Sequence, residues 1–418
     1  MILRYSVRNI ITKPLSSGLS VLLMAISIMI IVLAYSTMSQ LSSNFNQNAN
    51  KIDLVVGAKG SRMQLVLCNV FHIDQPTGNI PLQSVNFVQE HPFVDLAIPI
   101  SLGDNYQKFR IVGTKPSFIN ELYQANFLEG EIFSKSLEVV AGAQVAQELN
   151  LSIGSTFSGS HGLGESIHDH GDFTYRVVGI LAKSGEVIDQ LLMTPLESVW
   201  DVHPEEHNKG SFELKQEKEH HHHDHDHDHN HQHHDHEAKD ITAMLVKYGS
   251  PRGKFTLPSS VNKKDMLMAA EPAVEIQQLF QLIQPAVDVL YKLSWLIFCL
   301  AMVSVFITLL NSLKDRKYEI AMMRAGGATS TTVFMSVLIE GALISLIGSF
   351  IGIILGHFLT ELLAHYMISS YNYDFTGLMF YPFEFILILG SLLIGMISAF
   401  YPAYTAYKLN IAQTLKQS

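Results

Sequence analysis

The sequence predicts a membrane protein with four transmembrane α-helices and a large α/β extracytoplasmic domain inserted between helices 1 and 2. Four runs of the 418-residue chain are apolar and nearly free of charge, and 48% of all residues are hydrophobic. A helix rises about 1.5 Å per residue, so roughly 20 such residues cross a hydrocarbon core of about 30 Å. A long stretch of mixed polarity separates the first run from the second, and it is long enough to form one sizeable soluble domain.

The overall charge and the cysteines narrow the classes of function. The formal net charge of -10 argues against a nucleic-acid partner, which requires a basic face. The two cysteines are Cys68, in the predicted soluble domain, and Cys299, in the middle of a predicted span. We therefore expect no disulfide between them and no zinc site built on cysteines.

Residues 1–14 are predicted to be a cytoplasmic lead-in that lies along the membrane. Arg4, Arg8 and Lys13 alternate there with apolar side chains, a pattern suited to the inner face of a bilayer. Residues 15–40 are predicted to be transmembrane helix 1. Their apolar core could also be the central region of a secretory signal, but it is long for one, and no Ala-x-Ala cleavage pattern follows it. The sequence therefore favours an uncleaved span.

Residues 41–286 are predicted to be the extracytoplasmic α/β domain. Short β-rich runs such as Ile52–Val56 alternate with helix-like pieces such as Ala143–Leu149, so a sheet packed with helices is expected. Within the domain, residues 117–239 are predicted to be an inserted subdomain. It contains a disordered, histidine-rich loop at residues 219–237.

The remaining segments follow from hydropathy and from the placement of basic residues. They are transmembrane helix 2 at 287–312, a cytoplasmic coupling segment at 313–330, transmembrane helix 3 at 331–361, an extracytoplasmic loop at 362–382, transmembrane helix 4 at 383–407 and a cytoplasmic tail at 408–418. Every short cationic segment then falls on one side of the membrane. By the positive-inside rule both termini are expected in the cytoplasm.

The basic segment between helices 2 and 3, KDRKYEIAMMRAGGAT, is the predicted contact with a partner. A short helix could place Ile320, Met322 and Met323 in a groove of the partner, with Glu319 and Arg324 at its rim. Glycines would then end the helix. The residues assigned to this contact are Lys317, Glu319, Ile320, Met323, Arg324 and Gly326. The alternative is an ordinary positive-inside loop that ends in a glycine cap.

Two features of the third span suggest packing roles. Gly348, Gly352 and Gly356 recur every fourth residue, a spacing that lets helix backbones approach closely, either within one subunit or between the subunits of a dimer. Glu340 is the one acidic group away from the ends of the predicted spans. For Glu340 the sequence favours a structural role, in which the carboxylate snorkels or pairs with an arginine, over a place on an ion path.

A run of histidine and aspartate in the predicted loop is the most unusual local chemistry. It holds eleven of the 20 histidines, and its candidate ligands are His220, His221, His222, His223, His225, His227, His229, His231, His233, His234 and His236, with Asp224, Asp226, Asp228 and Asp235. Imidazole and carboxylate both bind zinc, and nickel or copper would also bind. An engineered affinity tag does not fit an internal run broken by Asp and Asn. A solvating loop that gains positive charge as the exterior acidifies remains the alternative.

A second, better-ordered metal site is a further candidate. Its residues would be His161, His168, His170, His203 and His207, some of which lie beside aspartates or at the four-residue spacing of one helix face. Isolated polar groups in loops are the competing interpretation. For His72 the sequence favours a structural role.

Several motifs carry a family resemblance. KYEIAMMRAGGAT at Lys317–Thr329 and YPAYTAYKLNIAQTLK at Tyr401–Lys416 resemble the coupling and closing segments of the MacB/FtsX-like (type VII) permease subunits of ABC transporters. The stretches at Asp53–Ser61, Phe71–Leu82 and His161–Leu181 look like a subgroup, here one with a histidine-rich extracytoplasmic loop. The resemblance implies a permease homodimer in a bacterial inner membrane, which works with a separate cytoplasmic ATPase and transmits its motion to the outer domain.

The sequence offers no support for an enzyme. It contains no Gly-x-x-x-x-Gly-Lys-[Ser/Thr] phosphate loop, no Gly-x-Ser-x-Gly and no His-Glu-x-x-His, so ATP hydrolysis is expected in the partner. The expected function is a permease that handles a lipoprotein, lipid, peptide or metal-linked cargo. No cofactor is required, and zinc or another divalent metal is a candidate ligand of the histidine-rich loop. Membrane lipid and an extracytoplasmic accessory or substrate-binding protein are further expected partners. The alternative is a metal-responsive membrane receptor or scaffold without transport. A metal channel fits poorly, because the spans hold almost no ionisable ligands besides Glu340 and His357.

Overall fold

The chain divides into two units. The computed structural model describes residues 2–160, 169–202, 239–371 and 375–408. One unit comprises Met1–Ser42 and Gln281–Ser418, and the other comprises Ser43–Phe280.

Four long helices lie wholly or mainly in the first unit. They are α2 (Pro14–Ala49), α8 (Pro272–Asp315), α10 (Ser330–Tyr371) and α11 (Phe383–Tyr407). Each is long and apolar enough to cross a membrane, which confirms the four predicted spans. Helix α8 begins well before the predicted residue 287, because the amphipathic segment ahead of the span continues the same helix through Pro285. Two shorter helices in this unit are α1 (Ile2–Thr12) and α9 (Lys317–Ala325).

Apolar side chains from different helices hold the four spans together. One buried cluster joins Met24, Ile28 and Val32 of α2 to Phe298 of α8 and Ile353 of α10. A second cluster joins the last turns of α8, the first turns of α10 and the last turns of α11 around α9. Burial of apolar area gives no net gain against lipid tails, so the close fit of these side chains supplies the stabilisation.

The second unit is an α/β domain. Its strands are β1 (Leu54–Ala58), β2 (Ile80–Pro81), β3 (Val94–Tyr106), β4 (Phe109–Thr114), β5 (Phe127–Gly130), β6 (Glu138–Ala141), β7 (Thr156–Ser160), β8 (Asp169–Leu181), β9 (Leu191–Pro195), β10 (Asp240–Ile241), β11 (Ala243–Tyr248) and β12 (Leu267–Ala270). Its helices are α3 (Arg62–Val70), α4 (Asn86–Gln89), α5 (Ala143–Glu148), α6 (Leu196–Val202) and α7 (Arg252–Asn262). Together with the four spans, this domain confirms the predicted fold class.

The main sheet has the order β12-β1-β11-β3-β4-β9-β6-β8-β5 over the described residues, with β7 pairing β3 and β8. Strand β3 serves both halves, because its first part pairs antiparallel with β11 and its last part pairs with β4. The pairs β4/β9 and β6/β8 are parallel. One apolar core lies over the β1/β11 half and another over the β6/β8 half. Strand β3 runs through both halves, so the sheet gives no boundary at which residues 117–239 would separate as a subdomain. The inserted subdomain stays a prediction.

Candidate functional site

Helix α9 is the segment that the sequence assigned to a partner contact. It follows a break at Arg316, and the backbone N–H of Ile320 bonds to the carbonyl of Arg316 at 3.0 Å. At the other end the N–H of Gly326 bonds to the carbonyl of Met322 at 2.9 Å. Gly327 has φ of 103°, a left-handed conformation that favours glycine. The predicted short helix and its glycine end are therefore present.

The two faces of α9 differ from the predicted arrangement. Ile320 is only 4% exposed and packs in the apolar cluster between the spans, and Met323 is partly buried against the same cluster. Ile320 therefore does not enter a groove of another molecule, because its contacts fix α9 to its own helix bundle. The prediction placed Ile320 on the exposed side because the i, i+4 spacing does not show which side of a short helix is buried.

The exposed face of α9 carries Tyr318 and Met322, four residues apart, which are 48% and 55% exposed. Lys317 and Glu319 are exposed beside them, and Arg324 is partly exposed. The sequence-based assignment omitted Tyr318, although its spacing from Met322 marks the two as neighbours on one face. The accessible surface thus combines two apolar side chains with a polar rim.

A buried ion pair connects the start of α9 to α10. The Nη1 atom of Arg316 lies 3.7 Å from Oε2 of Glu340, and their side chains are 11% and 6% exposed. The Nδ2 atom of Asn9, in α1, donates to the same carboxylate oxygen at 3.5 Å. Glu340 is therefore paired with an arginine, the structural role that the sequence favoured. Breaking such a pair by removing one partner is costly, since the other charge stays buried.

Helix α1 is attached to the same region by several bonds. The Nη2 atom of Arg316 donates to the carbonyl of Asn9 at 3.1 Å, and the hydroxyl of Ser6 donates to the carbonyl of Ser336 at 3.0 Å. Lys13 forms an ion pair with Asp315 at the end of α8. These contacts tie α1, α8, α9 and α10 into one local assembly.

A mainly apolar groove of about 450 Å³ lies within this assembly. It is lined by Tyr5, Met323, Gly326, Ala328, Thr332, Val333 and Ser336. Burial raises the pKa of the Tyr5 phenol, and the nearby Arg316 acts in the opposite direction. The phenol therefore stays neutral at physiological pH.

The glycine stripe on α10 faces α2 of the same chain. A Cβ atom at Gly348 would lie 2.7 Å from Cβ of Met24, and one at Gly352 would lie 2.6 Å from the carbonyl oxygen of Ala25. At Gly356 the same atom would lie 2.7 Å from Cβ of Val32. The stripe therefore packs within one chain, the first of the two roles that the sequence left open, because a side chain at any of the three positions would push α2 away.

The predicted metal ligands lie mostly outside the described residues. This holds for the tract at residues 220–236 and for His161, His168, His203 and His207, while His170 is described only as backbone in β8. In the part of the chain that the structure describes, no three His, Cys, Asp or Glu side chains are placed to hold a metal ion. The described residues therefore give no support to a zinc site.

Cys68 and His72 occupy the interior of the soluble unit. Both cysteines of the chain are free, as expected, and the Nη1 atom of Arg110 donates to Sγ of Cys68 at 3.3 Å. Both ring nitrogens of His72 are buried without a hydrogen-bond partner among the described residues. Burial, reinforced by Arg110, lowers the pKa of His72 to about 3. His72 is thus a neutral interior residue, in line with the structural role expected for it.

Two family models match the chain, one in each part of the architecture. The model for the FtsX-like permease C-terminal region matches residues 291–411, which include α9, α10 and α11. The model for the MacB-like periplasmic core domain matches residues 17–218, which include most strands of the sheet. No curated protein matched the sequence.

Proposed function

We propose that the chain is a multi-pass inner-membrane permease subunit of the MacB/FtsX type that transmits ATP-driven motion. The support is its two matched domains and its four apolar helices. Permeases of this type are transport subunits that work with a cytoplasmic ABC ATPase. In our proposal a separate ATPase moves α9, and the spans carry that motion to the extracytoplasmic domain. The cargo would be a lipoprotein, a lipid, a peptide or a metal-linked compound.

The exposed face of α9 is the proposed contact with the ATPase. Tyr318 and Met322 offer apolar area, and Lys317 and Glu319 offer charge at its border. A short amphipathic helix of this kind fits a groove on a partner, with apolar anchors inside and polar side chains at the rim. The observation that carries the proposal is that α9 is exposed on this face and firmly held on the other.

The buried side of α9 supports transmission rather than recognition. Ile320 is packed between the spans, and Arg316, at the N-terminal end of α9, is paired with Glu340 of α10. A displacement of α9 therefore moves side chains that are already in contact with α8, α10 and α11. Packed interiors resist local deformation, so such a displacement is passed on instead of being absorbed.

The spans themselves provide the next step. Helix α10 meets α2 through its three glycines, and α2 continues without a break to Ala49, five residues before β1 begins. Helix α8 begins at Pro272, two residues after β12 ends. Both helices thus lead almost directly into strands of the extracytoplasmic sheet, with little slack chain in which a movement could be lost.

A substitution on the exposed face of α9 tests the proposal. Met322→Glu should abolish co-purification of the ATPase while membrane insertion is unchanged, and Glu319→Ala combined with Arg324→Ala should do the same. Lys408→Glu, in the basic segment that follows α11, is the control and should leave co-purification intact. Unchanged co-purification of the Met322→Glu protein, measured from native membranes, would remove this surface from the proposal. Zinc-dependent binding of a different partner would instead favour the receptor function.

Orientation and subunit number complete the proposal. We place α9 and both termini in the cytoplasm, since the basic residues around Arg316 and Lys408 lie at one end of the spans, and we propose a permease homodimer. A cysteine at the exposed Ala325, in a Cys299→Ser background, should react with an impermeant maleimide only after the cells are opened. Reaction in intact spheroplasts would reverse the topology.

We also propose that the tract at residues 220–236 binds zinc from the extracytoplasmic side. The support is its chemistry, since eleven imidazoles and four carboxylates offer several interchangeable sets of ligands. Calorimetry on a peptide covering Glu219 to His236 tests this at pH 7.4. Affinity in the millimolar range or weaker would end the zinc proposal, and a peptide with the histidines replaced by serine is the control.

A further inference from the structure

The segment Phe375–Pro382, between α10 and α11, has an exposed apolar tip. Leu378, Met379 and Phe380 are 76%, 53% and 74% exposed, and the segment contains no Asp, Glu, Lys or Arg. Three consecutive exposed apolar side chains are unusual in a connection that faces water. The tip therefore needs an apolar surrounding.

The backbone of this segment is satisfied by side chains from the helices beside it. Gln40 of α2 pairs with both backbone groups of Thr376, donating to the carbonyl oxygen and accepting from the N–H, each at 2.9 Å. Glu361 accepts from the N–H of Gly377 at 2.5 Å, and Nδ1 of His357 donates to the carbonyl of Gly377 at 2.7 Å. Four backbone groups that water would otherwise satisfy are thus bonded within the protein.

The end of the segment is bonded in the same way. The hydroxyl of Thr376 accepts from the N–H of Leu378 at 3.1 Å, and Oε1 of Glu384 accepts from the N–H of Tyr381 at 3.0 Å. Glu384 is itself buried and lies 3.1 Å from Nε2 of His357. Non-helical backbone is tolerated at membrane depth only where its polar groups are satisfied internally, and this segment meets that condition at the positions named.

The depth of the segment follows from the helices that hold it. His357 and Glu361 precede the end of α10 at Tyr371 by 14 and 10 residues, or about 21 and 15 Å along the helix axis. Helix α11 starts immediately after the segment and has 25 residues, a length of about 37 Å against a hydrocarbon core of about 30 Å. If the excess of about 7 Å is shared by the two ends of α11, the segment lies within a few Å of the edge of that core.

Aromatic side chains mark the same level. Tyr35 of α2 lies 5.3 Å from the ring of Tyr381 and 3.9 Å from the ring of Phe383, measured between centroids. Tyrosine and other amphipathic rings gather at the boundary between acyl chains and headgroups. The exposed tip continues into Phe385 and Ile386 at the start of α11, which are 76% and 71% exposed on a membrane span.

We propose that Phe375–Pro382 is a re-entrant contact with the bilayer, in which Leu378, Met379 and Phe380 enter the acyl chains of the leaflet at this end of the bundle. The occupant of the surface is phospholipid, since the tip is continuous with the exposed apolar residues at the start of the span α11 and the backbone groups of Thr376 and Gly377 at its base are bonded within the protein. The segment fixes α2, α10 and α11 to one leaflet. This inference rests on the membrane-spanning architecture and not on the proposed coupling to an ATPase.

Collision measurements on the full-length protein in phospholipid vesicles test the proposal. A nitroxide label is attached at Met379→Cys in a Cys299→Ser background. Its collision rates are measured with oxygen, which concentrates in lipid, and with a nickel chelate, which stays in water. The ratio of the two collision rates should match that of Ile386→Cys, which is exposed in the first turn of the span α11, and should exceed that of Glu129→Cys, which is exposed on the soluble domain. Leu378→Cys provides an independent second site.

Two results would overturn the proposal. A ratio at Met379 and Leu378 equal to that at Glu129 would put the tip in water. Low collision rates with both reagents, together with broadening between labels, would show that a second copy of the chain covers the tip instead of lipid.

Discussion

Acidification should destabilise the soluble domain through His72, and the size of the effect follows from its surroundings. The imidazole is buried next to Arg110, and its pKa in the folded protein is about 3, whereas an unperturbed histidine has a pKa of about 6.5. Below pH 6.5 the unfolded chain binds a proton at this residue that the folded chain does not bind. The free energy of unfolding therefore falls as the pH drops from about 6.5 towards about 3.

The size of this loss in the free energy of unfolding depends mainly on the pKa of His72 in the unfolded chain. The free energy of unfolding falls by about 1.4 kcal/mol for each pH unit below the unfolded pKa of about 6.5. On going from pH 7.5 to pH 5, one and a half such units are crossed, so the loss due to His72 is about 2 kcal/mol. Any folded pKa well below 5 gives nearly the same value. The prediction therefore depends on His72 being neutral in the fold and only weakly on its pKa there.

Urea titrations of the isolated domain, Ser43–Phe280, can measure this. Trp200 is the one tryptophan in that range, and its Nε1 donates to the carbonyl of Asp240 at 2.7 Å, so its fluorescence should report unfolding. The comparison is between the wild type and His72→Asn. Asparagine tolerates the φ of 55° at this position, and it does not titrate.

The difference between the two proteins isolates His72 from the other acid-sensitive groups. The wild type should lose about 2 kcal/mol more than His72→Asn between pH 7.5 and pH 5. His91 is a partly buried histidine in the same domain, so His91→Asn is the control. Its free energy of unfolding should depend on pH as that of the wild type does. Equal pH dependence of the wild type and His72→Asn would refute the reasoning, because it would mean that the imidazole is solvated or paired.

Two further predictions concern the membrane unit. Gly352→Leu should prevent folding, because its Cβ would lie 2.6 Å from the carbonyl oxygen of Ala25, whereas a Cβ at Gly390 has nothing within 4 Å and Gly390→Leu should be tolerated. Gel filtration in detergent distinguishes the two variants, and a monodisperse Gly352→Leu protein would contradict the close packing. Glu340→Leu leaves the Arg316 guanidinium buried without its carboxylate and should cost about 3 kcal/mol, and adding Arg316→Leu should restore much of the loss. Thermal unfolding in detergent measures both, and a double variant no better than Glu340→Leu would argue against the pairing.

Much of the membrane unit could be predicted because its signals are local. Hydropathy alone located the four spans, the glycine spacing indicated close packing on α10, and the glycines after Ala325 located the end of α9. The partner of the glycine stripe could not be predicted, because α2 lies more than 300 positions away in the chain and offers no matching motif. The same distance in sequence separates Asn9 from Glu340 and Gln40 from Thr376.

The soluble domain was less predictable. Alternating apolar residues indicated strands and helices, but the order of the strands depends on which edges meet, and short apolar runs are compatible with many pairings. The division of β3 between two halves of the sheet is an example. On α9 the sequence identified the helix and assigned Ile320 to the wrong face, because nine residues contain too few turns to show which side is buried.

The pairing of β1 with β12 has a mechanical consequence. Val55 is opposite Ala270 at the end of the ladder where the chain arrives from α2 and departs into α8. A tension that separates Asp53 from Glu271 would act perpendicular to the strands at one end of this ladder. The hydrogen bonds between β1 and β12 would therefore break one after another from that end. Such a ladder yields at a lower load than one pulled along its length, where all the bonds must rupture together. Under such traction β12 would separate from β1 beginning at Ala270.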